Sequence, residues 1–235
     1  MSEEVPRRRP RLVGLIVLAV IVGLLGFAIV SLSIGTGGEG EQFKITGAEE
    51  TQSLLGGIQQ DRDRLGPGDA PVTIQVFNDL QCDPCSDWNR DVIVPLIGGP
   101  VRAGQVQMIF HHFPISAESG FFLGSYAAVA AAKQDDEWQF IELFFANQEE
   151  AKKQGATQDF LNSVARAILN FNVEQWQNDM KDSDIEQTLK DDESLAADRH
   201  LPAEPAVVVG GPNGTRQLIE SPSLAEVQAA IAAVS

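Results

Sequence analysis

The stretch IQVFNDLQCDPCSDW, residues 74–88, decides how this chain is read. It contains the only two cysteines among 235 residues, Cys82 and Cys85, with Asp83 and Pro84 between them. The β-branched run PVTIQVF, 71–77, reads as a strand, and the segment from Cys82 to about Leu96 reads as a helix. Pro84 then falls in the first helical turn, where its missing N–H costs nothing.

A C-x-x-C at a strand-to-helix junction has a physical logic. The first sulfur sits beside the unpaired N–H groups of a helix start, which favour its anionic, nucleophilic form. The second lies one turn on, within reach of a mixed disulfide formed by the first. This assigns Cys82 as the attacking, solvent-facing sulfur and Cys85 as the resolving, more buried one. Three plainer readings compete. A purely structural disulfide would close a very short loop, and short loops gain little chain entropy. A zinc site needs about four ligands, and beyond the cysteines only His111, His112 and His200 are natural candidates. Two inert core cysteines would leave the proline and the strand–helix setting unexplained. Redox chemistry is the preferred reading.

Working outward, VQMIFHHF, 106–113, reads as a second strand. Its two histidines alternate in direction, so at most one should point inward, with a packing role. A long helical stretch follows. GSYAAVAAAK, 124–133, has high helix propensity. DDEWQFIELFFANQ, 135–148, places Trp138, Ile141, Phe144 and Phe145 on one face. Three further helices open on expected caps at Thr157, Asn172 and Ser183. Strand character returns at PAVVVG, 205–210, and at TRQLIE, 215–220, and the amphipathic helix SLAEVQAAIAAV, 223–234, closes the chain. The pattern is an α/β sandwich with a helical insertion. Trp88, Trp138 and Trp176 read as core.

At the other end, VGLIVLAVIVGLLGFAIVSL, 13–32, is almost purely aliphatic. Twenty helical residues span roughly 30 Å, the thickness of a bilayer's hydrocarbon core. Arg7, Arg8, Arg9 and Arg11 precede it, so the positive-inside rule leaves the N-terminus in the cytoplasm and exports the rest. A cleaved signal peptide is the rival reading, but its apolar region is usually shorter, about 7–15 residues, and SLSIGTGG poorly matches a cleavage site. Residues 34–70, with GTGGEGEQ and QQDRDRLGPGDA, read as a polar tether, with a short strand expected at EQFKITG, 41–47. The net charge is −16; residues 1–12 carry +2, leaving −18 on the exported part. Such acidity repels nucleic acid and anionic lipid, and nucleic-acid binding is excluded.

LGPGDAPVTIQVFNDLQCDPC, 65–85, with FHHFPI, 110–115, and EPAVVVGG, 204–211, resembles the DsbA-type branch of the thioredoxin superfamily. The likeness covers roughly residues 52–235. It implies a thioredoxin fold interrupted by a helical domain, and the 120-residue interval from Cys85 to Pro205 suits that arrangement. It also implies a cis-proline facing the cysteine pair, beside which substrate backbone adds as a strand. Pro205 is the matching position, with Pro202 a nearby alternative. Two departures stand out. Oxidising members often carry His between the cysteines, where this chain has Asp83-Pro84. The carboxylates of Asp83 and Glu204 should disfavour the Cys82 thiolate, stabilise the disulfide and weaken the oxidant. And the buried carboxylate that many thioredoxin-like proteins hold six residues before the first cysteine is replaced by Val76, with Asp79 a candidate proton carrier or a loop cap.

The expectation is a membrane-anchored, DsbA-like thiol–disulfide oxidoreductase. It comprises a basic tail (1–11), a transmembrane signal-anchor helix (12–33), an extracytoplasmic tether (34–68) and a thioredoxin-like domain (69–235) with a helical insertion at about 115–198. Cys82 and Cys85 are catalytic; Asp83, Pro84, Glu204 and Pro205 modulate them. No metal and no diffusible cofactor is expected, the redox group being the Cys82–Cys85 disulfide. The partners implied are exported cysteine-containing proteins and a quinone-coupled membrane protein of the DsbB or vitamin K epoxide reductase type. The alternatives are a reductase or isomerase of exported disulfides, and a thioredoxin-fold binding module without catalysis.

Overall fold

β3 (Val72–Asn78) and β4 (Val106–His112) run parallel at the centre of a six-stranded sheet, ordered β1-β2-β4-β3-β5-β6. The outer strands are β1 (Gln60–Asp61), β2 (Arg64–Leu65), β5 (Ala206–Gly211) and β6 (Gly214–Leu218). β5 lies antiparallel to β3 and β6 antiparallel to β5. The computed structural model describes residues 43–113 and 123–235. The tail, the expected membrane span, the start of the expected tether and residues 115–122 of the expected insertion lie outside the described residues. Among the described residues, no helix is long and apolar enough to cross a membrane.

The strands form where β-branched and apolar residues cluster. Val72, Ile74 and Val76 point into one buried layer while Thr73 and Gln75 stay half-exposed, the alternation of a strand covered mainly on one face. β4 is covered on both faces: all seven of its residues are buried. This corrects the expectation for the histidines, since His111 and His112 point opposite ways and are both enclosed. The buried side chains of Asp192 and Glu137 lie against the two rings, so neither faces solvent.

After β3 the chain turns into α2 (Asp83–Trp88), preceded in the chain by α1 (Ala48–Leu55). The helical run does not stop near Leu96. It continues through wider turns, Asn89–Ile93 and Ile97–Val101, around a short α segment, Val94–Leu96. Pro95 and Pro100 cannot donate to the ordinary ladder, and i→i+5 bonds such as Arg102 N–H to the Ile97 carbonyl (3.0 Å) carry the run onward.

Among the described residues, six helices stand between β4 and β5: α3 (Leu123–Ala132), α4 (Glu137–Ala146), α5 (Gln148–Gln154), α6 (Gln158–Arg166), α7 (Val173–Asp179) and α8 (Ser183–Asp198). Thr157 and Asn172 cap α6 and α7 through their side-chain oxygens. Ser183 is already the first helical residue of α8, and Asp182 occupies the cap position without a side-chain bond. The terminal helix α9 (Leu224–Val234) opens on a reciprocal capping box of Ser223 and Glu226.

The helices join the sheet and one another through aromatic packing and buried histidine–carboxylate contacts. Phe110 meets Trp138 edge-on at 5.7 Å, and Phe144 meets Phe160 at 5.4 Å. Each tryptophan is buried with its N–H satisfied, by the carbonyls of Pro222, Asp63 and Ala127 for Trp88, Trp138 and Trp176. His111 Nδ1 lies 2.6 Å from Asp192 of α8, and His112 Nε2 lies 2.9 Å from Glu137 of α4. The paired histidines thus tie the sheet to two helices.

The stretch expected as a tether carries structure of its own from residue 43. Phe43 packs edge-on against Phe160 at 5.6 Å. Thr46 exchanges backbone hydrogen bonds of 2.9 Å with the buried Asn147 amide, and α1 follows with Leu55 in the core. No strand forms over 43–47.

One buried group sets a pH dependence for the whole fold. Glu142 on α4 is enclosed, and burial pushes its carboxyl from an ordinary 4.5 up to about 7, although Asn89 Nδ2 donates to both oxygens at 3.2 and 3.0 Å. Its folded value lies above its unfolded one, so its contribution to stability is lost as pH rises from about 4.5 through 7. Glu142→Gln should therefore gain on the wild type by about 3 kcal/mol as pH rises across that window, read as the difference between urea-derived stabilities.

Candidate active site

Cys82 and Cys85 are joined in a disulfide, with their Cα atoms 5.3 Å apart. Cys82 occupies the N-cap of α2 with extended backbone (φ −73°, ψ 127°), and Cys85 lies within the helix. The two sulfurs differ in access. Cys82 is half-buried, whereas Cys85 is fully enclosed in the main core. Asp83 and Pro84 are exposed on the first turn.

Three residues hold this turn. Within the loop after β3, Asp79 Oδ1 accepts the Gln81 N–H at 2.9 Å and the Asp79 carbonyl accepts the Cys82 N–H at 3.3 Å. Asp79 is the loop cap. Its carboxyl is raised by burial, opposed by the Gln81 bond and by His112. From α5, the buried Gln148 donates through Nε2 to the carbonyls of Leu80 (2.7 Å) and Cys82 (2.8 Å). Also from α5, Lys152 Nζ lies 3.4 Å from the Asp83 carboxylate. That ammonium partly offsets the negative charge which sequence reading set beside Cys82.

Opposite the helix start, the chain enters β5 through a cis peptide bond between Glu204 and Pro205. Pro205 is buried, while Pro202 is exposed. The register Phe77–Ala206 brings the end of β3 beside the start of β5, so the two loops share one end of the sheet. A carboxylate oxygen of Glu204 and both sulfurs lie within 4.8 Å of one another. With the sulfurs bonded together this set offers no thiolate to a cation, and its chemistry is that of a disulfide beside an acid. Burial, with a smaller push from Asp79, raises the Glu204 carboxyl to about 7, against a lowering backbone bond.

Other residues singled out from the sequence stand elsewhere. Val76 is buried in β3, and His111 and His112 make the carboxylate contacts described above. His200 is exposed in a left-handed conformation (φ 55°) after α8. Gln148 and Lys152 were missed because nothing in their local sequence separates them from surface polar residues. Only the folding of α5 against the loop gives them their roles.

The sequence matches the Thioredoxin family (Thioredoxin_4) over residues 60–233. It is 31% identical over 150 residues to the "Probable disulfide bond formation protein D" of Bacillus cereus, a match spanning 63% of this chain and 69% of that protein. Among solved structures, oxidised BdbD from Bacillus subtilis aligns with a TM-score of 0.63 at 21% identity, covering 73% of this chain and 91% of that one. The α-DsbA1 of Wolbachia pipientis aligns with a TM-score of 0.61 at 18% identity, covering 78% and 94%. At those identities the structural likenesses speak for the fold. The family match spans the two cysteines, Glu204 and Pro205, and the chain belongs to the thioredoxin family.

Proposed function

We propose that this protein is an extracytoplasmic, DsbA-like thiol–disulfide oxidoreductase that forms disulfides in exported proteins. The observation carrying this reading is the asymmetry of one disulfide: Cys82 is accessible and Cys85 enclosed, at a helix start facing a cis-proline. The name of the Bacillus cereus relative supports it.

The chemistry follows from that asymmetry. A substrate thiolate attacks Cys82 Sγ, the Cys82–Cys85 bond breaks, and Cys85 leaves with the electron pair. A second substrate thiolate then attacks the substrate sulfur of the mixed disulfide and releases Cys82. Two electrons pass from the substrate thiols to the cysteine pair, and no diffusible cofactor takes part. Backbone flanking Pro205 is suited to pair with an extended substrate segment. Gln148 keeps the Cys82 carbonyl fixed while the sulfur changes partner.

Turnover as an oxidase requires an electron acceptor, for which the family resemblance suggests a quinone-coupled membrane protein of the DsbB or vitamin K epoxide reductase type. The apolar span 13–32, behind four arginines, supports a single-pass anchor with the N-terminus in the cytoplasm. Such an anchor would hold the domain at high effective concentration near that acceptor.

Cys85→Ala should accumulate mixed disulfides between Cys82 and exported proteins, visible as reductant-sensitive adducts on non-reducing gels. A binding module would give none. The reduction potential separates an oxidant from a reductant. A value between about −120 and −270 mV, nearer the first, is expected, and one at or below about −270 mV would make the protein a reductase.

A further inference from the structure

An enclosed Cys85 raises a problem that the exchange reaction must solve. When the disulfide opens, the departing sulfur carries a negative charge in the apolar core, where an unpaired charge is costly. A proton delivered to it removes that cost. The strand position that holds an acid in many thioredoxin-like proteins is here Val76, fully buried and unable to supply one. Asp79 is engaged in its turn bond to Gln81, only 4% exposed, and outside the group gathered at the sulfurs.

Glu204 fits the need. Its carboxylate is the acid gathered with both sulfurs within 4.8 Å, and its Oε2 is enclosed with no hydrogen-bond partner. The residue as a whole is only half-buried, so it can exchange protons with solvent. We propose that the Glu204 carboxyl is the general acid that protonates Cys85 as its sulfur leaves, and the general base that takes the proton back on reoxidation. This rests on the oxidoreductase reading and adds the proton path to it.

The step balances. The substrate thiolate forms a bond to Cys82, and the Cys82–Cys85 bond breaks with its electron pair on Cys85. The proton moves from Glu204 to that sulfur, leaving a carboxylate that solvent reprotonates. The surrounding charges suit the role. Burial and Asp79 hold the proton on Glu204 up to about pH 7. Asp83, on the helix start, is engaged with Lys152 from α5.

The test compares wild type and Glu204→Gln, an isosteric change that keeps a hydrogen-bond donor but has no proton to give. Oxidised protein is reduced by dithiothreitol, and the rate is divided by the thiolate fraction of the reagent at each pH. Wild type should be faster by about tenfold at about pH 6, its rate falling towards about pH 8, whereas the variant should be flat. Coincidence of the two proteins at about pH 6, with divergence only in alkali, would be the mark of charge repulsion alone and would overturn the proposal. Carbon-detected NMR of the Glu204 carboxyl in the oxidised wild type gives a second reading, independent of the variant. Titration near 7 supports the role, and titration near the ordinary value of 4.5 overturns it. The two inferences fail separately. If Cys85→Ala captures no thiol substrate, the oxidoreductase reading falls and takes this one with it. If it captures substrate but Glu204→Gln keeps the wild-type profile, only the role of Glu204 falls.

Discussion

The backbone pairing of Phe77 with Ala206 is the constraint on which the site depends. Because β3 and β5 are antiparallel, the end of one lies beside the start of the other. The loop leaving β3 carries the cysteines, and the turn entering β5 carries Glu204 and Pro205. A shift of one residue in that register would swap Val207 and Val209, which belong to the main core, with Ala206 and Val208, which pack with Phe77 and Leu201 on the opposite face, so the two apolar layers enforce the alignment. The placement of the reactive group is thus a by-product of burying valines.

Around that alignment the protein separates two tasks. The sheet fixes where the sulfurs stand, and the helical block decides how they are held and what charges they meet. Gln148 and Lys152, both from α5, reach the active-site turn from outside the sheet. The block is itself fastened to the sheet by His111–Asp192 and His112–Glu137. Removing one partner from a buried pair of this kind leaves the other unsatisfied, which is why such contacts specify an arrangement more than they add to stability.

The strands and the cysteine motif were legible because their signals are local: β-branched runs for β3 and β5, and a unique C-x-x-C at a strand-to-helix junction. The cis-proline could be assigned only through family resemblance, since a proline opening a strand has an ordinary explanation. One of the two histidines was misread, because alternation reveals opposite faces but not that both faces are covered. α1 was hidden in a polar, glycine-rich stretch whose order depends on Asn147, a hundred residues away. The charge on Glu204 was unreadable for a related reason. Sequence supplies a carboxyl, and only burial beside Asp79 determines when it ionises.

The two donations from Gln148 bear on how freely the CDPC turn could be transplanted. A minimal thioredoxin scaffold without a helical block would receive the four residues but lack the amide that engages the Leu80 and Cys82 carbonyls. Those oxygens would turn to water, and the grafted loop would sample poses in which the first sulfur is misdirected. Portability of the motif is therefore limited by a glutamine lying more than sixty positions downstream.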